Sequence, residues 1–177
     1  MTPQAMPRAL AKPAKPEVTR SAALSLIAPG IVADSLTKLH VALLAQGAVA
    51  RWVAPRLGAI ATAEGGDLQA DASLENEPGF LFDALVLPDG AEAVQALACD
   101  AHTIELVKDQ YRHCKSILAV SASKALLGQA GVPEQLPGGA SDPGLVITAA
   151  AEGADVDSAI ARHRHRHPER DTAPPSV

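Results

Sequence analysis

Three sets of residues have types and spacings that could do chemistry. The run Arg162-His163-Arg164-His165-Arg166-His167 would place His163 and His167 on one face of a helix, and neutral imidazoles are common metal ligands. The interleaved arginines repel a cation, and Glu169 is the carboxylate at hand, so the run reads as a solvated helix end whose cations suit the C-terminal dipole. His40, His102 and His113 are scattered through helical stretches and form no cluster. Cys99 and Cys114 show no CxxC spacing and no accompanying ligands; they read as small buried hydrophobes of a reduced protein. Ser121 is better placed, between the apolar run SILAV and the helical SASKALLGQAG. A serine nucleophile needs a base to take its proton and a third group to orient that base. The loop and strand that follow, Pro133 to Thr148, contain no histidine.

The elements that must position these residues follow from apolar periodicity. ALSLIA, bounded by Pro29 and Gly30, reads as a buried strand. ADSLTKLHVALLAQG reads as a helix with Leu36, Leu39, Leu43 and Leu44 on one face, Asp34 or Ser35 as N-cap and Gly47 as its stop. AVARWVA is a second strand, which gives a right-handed β-α-β unit. Gly65-Gly66 between Ile60-Ala61-Thr62 and Leu68-Gln69-Ala70 predicts an inserted β-hairpin. FDALVLPDG is a third core strand, followed by the helical AEAVQALA and AHTIELVKDQYRHC. SILAV is a fourth strand, GLVIT a fifth, and ADVDSAIARHRHRH a closing helix. The sum is an α/β, flavodoxin-like, doubly wound parallel sheet carrying one hairpin.

Composition bounds the rest. A chain of 177 residues suits one domain, and so few aromatics (Trp52, Tyr111, Phe80 and Phe82) leave its core to Ala, Leu, Val and Ile. Residues 1–20 carry four bases and one acid with four prolines, which describes a Pro-rich basic linker rather than a folded element. Residues 162–177 form a basic His/Arg/Pro tail with four bases and two acids. The intervening 21–161, the expected domain, holds seven bases and seventeen acids. That acidic body repels phosphate and argues against a nucleic-acid partner. No apolar run approaches the ~20 residues of a membrane span, and the start has no secretory core, so a cytoplasmic protein is expected. A flavin or nucleotide would need a phosphate-cradling loop after the first strand, whereas APGIVAD offers one glycine and an acid.

Two strand-to-helix junctions carry a resemblance. DALVLPDG resembles the DALVLPGG of the glutamine-amidotransferase-like superfamily, whose glycine amides face the nucleophile. SILAVSASKALLGQAG is similar to its strand, nucleophile elbow and helix, with Ser121 where a cysteine is usual. The resemblance implies site positions at Ser121, Asp89, Gly90 and Ser35. Ser35 falls where PfpI-type proteins carry the activating acid, with Asp34 one residue off. Asp89 replaces the first glycine and would put a carboxylate where an oxyanion needs donors, so Ser121 is expected to be a vestigial elbow.

Read over residues 19 to 161, the order SAALSL, ADSLTKLHVALLAQGA, RLGAIATAEGGDL, DALVLPDG and LVKDQYRHCKSILAV resembles the C-terminal domain of large-subunit heme catalases. The resemblance implies a non-catalytic accessory domain of a hydrogen-peroxide-degrading enzyme, following a Pro-rich linker. It implies the catalase core and sister subunits of a tetramer as partners, with unfolded proteins as a possible chaperone-like target. No cofactor is expected in this chain: heme belongs to the parent core, and no heme ligand can be matched, since Tyr111 stands in a helix. The alternative is a PfpI-type hydrolase, peptidase or glyoxalase using Ser121. A domain cut from a longer catalase and a stand-alone product of similar ancestry both remain open.

Overall fold

The computed structural model describes residues 21–151, so the closing helix, the Pro-rich arm and the His/Arg run lie outside the described residues. The chain runs β1 (Ala22–Leu26), α1 (Ala33–Ala45), β2 (Val49–Ala54), β3 (Ala59–Ala61), β4 (Asp67–Gln69), β5 (Ala72–Ser73), β6 (Ala84–Leu87), α2 (Ala91–Ala98), α3 (Ala101–Arg112), β7 (Ser116–Val120), α4 (Lys124–Gln129) and β8 (Leu145–Thr148). Six strands form one parallel sheet in the order β5-β2-β1-β6-β7-β8, and β3 pairs with β4 as an antiparallel hairpin. This is the flavodoxin-like sheet that the sequence predicts, with one added edge strand. β5 is two residues long, too short for any periodicity to announce it.

Strands buried on both faces must be apolar throughout. β6 (ALVL) and β7 (SILAV) are buried at every position, and β1 at all but its first. α1 presents Leu36, Leu39 and Leu43 to the core, whereas Leu44 is 50% exposed and lies off the expected face. The helix ends as expected at Gly47, whose φ of 84° is open to a residue without Cβ. α1 packs on β2, while α2, α3 and α4 pack on one another. Right-handed crossovers running in opposite directions from β1 and from β6 place these two groups on opposite faces.

At the amino edge of the sheet a side chain adds to the backbone bonds between β1 and β6. The Asp83 amide donates to the Ala22 carbonyl at 2.7 Å, and the Ala22 amide donates to the Asp83 carboxylate at 2.9 Å. Beside them a single 3-10 turn, Gly79–Leu81, sits on α3. The buried Lys115 donates its ammonium to the carbonyls of Phe80 (2.7 Å) and Phe82, and the buried Gln110 amide donates to Gly79 O at 2.5 Å. An ammonium withdrawn from water needs such acceptors. The turn they fix leaves Phe80 and Leu81 in solvent.

Candidate functional site

β1 and β6 are neighbours whose following connections leave in opposite directions. Their carboxyl ends therefore flank the switch point, where open α/β sheets form ligand crevices. Here three loops converge. The Val32 amide donates to Asp89 O at 3.1 Å, and the hairpin is tied across the end of β1 by Gly30 N to Ala61 O (3.0 Å) and Ala63 N to Ile31 O (2.9 Å). The approach is close: a Cβ on Gly90, whose φ is 114°, would stand 2.5 Å from Gly30 O. Only glycine fits there without backbone movement.

The start of α1 is capped from a distance. The expected cap by Asp34 or Ser35 is not formed, because Val32 occupies the cap position and has no side-chain acceptor. Glu64, at the hairpin tip, accepts from the Ala33 amide at 3.0 Å and places its charge at the positive end of the helix. Asp34 points outward and pairs with Lys38 at 2.8 Å, and Ser35 is half-buried in the first turn. Glu64 has no local signal beyond being the acid of a tight Glu-Gly-Gly tip.

The elbow after β7 has the strained backbone of a nucleophile turn. Ser121 is exposed and has φ 47°, a left-handed value uncommon for serine. Below it the buried Ser123 hydroxyl lies 2.9 Å from Val120 O and 3.3 Å from Leu87 O, tying the ends of β7 and β6. Asp89 is brought directly to this elbow. Its Oδ1 accepts from the Gly90 amide at 2.7 Å and from the Ala122 amide, the one following Ser121, at 3.3 Å. The structure thus joins Asp89, Gly90 and the Ser121 turn, and links Ser35 to them only through the Val32 to Asp89 backbone bond. Amides that could stabilise an oxyanion instead hold a carboxylate oxygen, which would repel charge developing at Ser121. No histidine, cysteine or lysine side chain is hydrogen-bonded to Ser121 among the described residues.

An open crevice of about 860 Å³ is walled by Pro29, Leu57, Ile60 and Ser73 and by Cys99 and His102 of the α2–α3 junction, and none of the elbow residues lines it. Cys99 is exposed there, against the expectation that it is buried; the C-cap position of α2 turns it outward. Cys114 is buried as expected, and neither forms a disulfide. His102 Nδ1 stands 3.7 Å from Asp100 Oδ1, while Asp100 Oδ2 caps α3 through the Thr103 amide and hydroxyl. No group of three or more His, Cys, Asp or Glu suited to a metal ion occurs among the described residues. Tyr111 is packed in the core on α3. No described helix is long and apolar enough to cross a membrane.

The profile of a family described as the C-terminal domain found in long catalases matches residues 26–170. Catalase HPII of Pseudomonas aeruginosa is 28% identical over 152 residues, which is 86% of this chain and 20% of that protein. Catalase HPII of Mycobacterium avium is 32% identical over 130 residues, 67% of this chain and 18% of that protein. The chain therefore spans about a fifth of the length of these curated relatives. Among solved structures, a ThiJ/PfpI family protein from Pseudomonas syringae shares the fold with a TM-score of 0.69 at 22% identity, over 96% of this chain and 79% of that one. A DJ-1 superfamily protein from Salmonella typhimurium gives 0.60 at 25% identity, over 63% and 62%.

Proposed function

This chain belongs to the family of C-terminal domains found in long catalases, and from that membership we propose that it serves such an enzyme as a non-catalytic accessory domain. In this reading it adds stability and assembly contacts to a peroxide-degrading body that holds the heme, and brings no cofactor of its own. The observation that carries the reading is the Asp89 carboxylate seated on the amides of Gly90 and Ala122. With those donors occupied and no base on Ser121, an acyl-transfer or thiol-type reaction at the elbow has neither its nucleophile nor its electrostatic support. Its partners are then the catalytic body and the sister subunits of a tetramer. Exposed Phe80, Leu81 and Leu57 also suit transient, chaperone-like contact with unfolded chains. Two unpaired cysteines accord with a reducing cytoplasm.

A second reading, a PfpI-type hydrolase, peptidase or glyoxalase, draws on the exposed and strained Ser121. One set of measurements separates the two. The purified chain is assayed for ester, peptide and glyoxal turnover and for a Soret band, and residues 21–161 are deleted from a long catalase that carries them. The accessory reading expects no turnover, no Soret band, and a truncated enzyme that keeps its turnover per heme but melts at lower temperature. Turnover that vanishes in Ser121→Ala favours the second reading. Unchanged stability and assembly after deletion overturns the first.

A further inference from the structure

Ser73, at the end of β5, lines the open crevice at the carboxyl ends of β1, β2 and β5. The residue is 6% exposed, and its hydroxyl has no hydrogen-bond partner among the described residues. Its carbonyl already accepts from the amides of Asn76 at 3.0 Å and Glu77 at 3.1 Å, so the hydroxyl is the group left to a ligand. Unlike the hydroxyls of Ser21 and Ser25, which are sealed in the core, it keeps access to the crevice. A hydroxyl taken this far from water has a cost that a ligand's polar group would offset. Arg56 and Glu75 line the same crevice, are exposed, and enter no ion pair among the described residues, with each other included. A guanidinium and a carboxylate that do not neutralise one another suit the carboxylate and the ammonium of one zwitterion. The helical side contributes Cys99, exposed at the C-cap of α2. Its amide donates to Gln95 O at 3.2 Å, and Asp100 beside it caps α3, so the thiol stands at a fixed junction.

We infer that this crevice is a thiol-modification site: it seats the disulfide of a small zwitterionic thiol, of amino-acid or short-peptide kind, and Cys99 exchanges with it. A crevice of about 860 Å³ admits a ligand of that size, and Leu57 and Ile60 offer its methylenes an apolar wall. Arg56 holds the carboxylate, Glu75 the ammonium, and the Ser73 hydroxyl a further polar group. The Cys99 thiol gives its proton to solvent, and the thiolate attacks one sulfur of the bound disulfide. The S–S bond breaks, a new one forms to Cys99, and the departing half leaves as a thiolate that takes up a proton. One disulfide is consumed for each one made, so no other oxidant enters. Cys114, buried, stays outside the exchange. The site is separate from the elbow, none of whose residues lines it, and does not rest on the accessory role proposed above.

The test incubates the full chain with excess oxidised glutathione, a zwitterionic probe, or with hydroxyethyl disulfide, a neutral one, and locates adducts by peptide mass spectrometry. The expected adduct is on Cys99 and not on Cys114. Its rate should saturate with oxidised glutathione and stay proportional to the neutral disulfide. Arg56→Ala and Ser73→Ala, each checked for an unchanged circular dichroism spectrum, should slow the glutathione reaction several-fold. Both should leave the neutral disulfide and iodoacetamide reacting with Cys99 as in the native chain. If Ser73→Ala does not fold, Arg56→Ala, at an exposed position, decides alone. Rates proportional to both probes, or substitutions that leave the two disulfides reacting alike, reduce Cys99 to an exposed thiol and overturn the proposal.

Discussion

At the carboxyl ends of β1, β6 and β7 the chain spends its own acids on donors that a ligand would use: Glu64 on the Ala33 amide, Asp89 on those of Gly90 and Ala122. At the amino ends of the same strands Lys115 and Gln110 satisfy carbonyls from inside and leave Phe80 and Leu81 facing water. The first edge, the ordinary place for reactive groups in such sheets, is turned inward. The second, ordinarily structural, is turned outward. The shape of a site and the availability of its donors are thus separate properties: the elbow keeps its backbone while its electrostatic capacity is consumed.

The largest expected effect lies at the outward edge. Lys115→Ala leaves the Phe80 and Phe82 carbonyls without their donor, at ~1–3 kcal/mol for each unpaired group. A loss of about 3 kcal/mol should lower the melting temperature by roughly 10 °C in a chain of this size, read by thermal circular dichroism. A drop of only a degree or two would mean that the turn holds without its ammonium, and the contrast between the edges would fail.

The inward edge is sharpened by removing its plug. Asp89→Gly should cost about 1–2 kcal/mol by freeing two amides. Combined with Ser121→Cys, it should lower the pKa of the introduced thiol and raise its alkylation rate by iodoacetamide about tenfold over the same thiol facing Asp89. The exposed Cys99 serves as reference within the same molecule. Equal rates with and without Asp89 would show that its carboxylate does not control the elbow.

The smallest effect comes from a group at neither edge. His40 of α1 stacks on Trp52 of β2, ring centroids 4.1 Å apart, with a buried Nδ1 that has no partner. Burial lowers its pKa below the ordinary 6.5, opposed by the nearby Asp71 charge. The unfolded chain then binds this proton more readily, so the stability contributed by neutral His40 is present above pH 6.5 and is lost as the pH falls from 6.5 through the lower folded value. Emission from Trp52, the one tryptophan, should be quenched with a midpoint below 6.5, and His40→Phe should abolish the titration. A midpoint at or above 6.5 would show that burial does not outweigh the Asp71 charge.

The core strands and the hairpin were legible because ALSLIA, DALVLPDG and SILAV are apolar runs closed by turn residues, and Gly65-Gly66 marks its own tip. The placement of Asp89 was legible only as a departure from a motif, and its bond to the Ala122 amide is tertiary. The N-cap of α1 was read wrongly because local rules look for a cap beside the helix, whereas Glu64 arrives from 31 residues away. Lys115 stood in a stretch useful for resemblance, LVKDQYRHCK, but nothing local separates a buried lysine from a surface one. Cys99 was misjudged because a thiol's exposure depends on which way a helix end turns.

β1 is the first strand in the described chain but the third in the sheet, and one of its two partners, β6, begins about sixty residues later. An all-parallel arrangement offers no adjacent hairpin to close first, so the centre of the sheet must wait for distant chain. During synthesis, AALSL and VARWVA leave the ribosome well before DALVL can sit beside them, and a slow maturation step with exposed strands follows from topology alone. The arrival of β6 therefore decides when β1 is flanked on both sides.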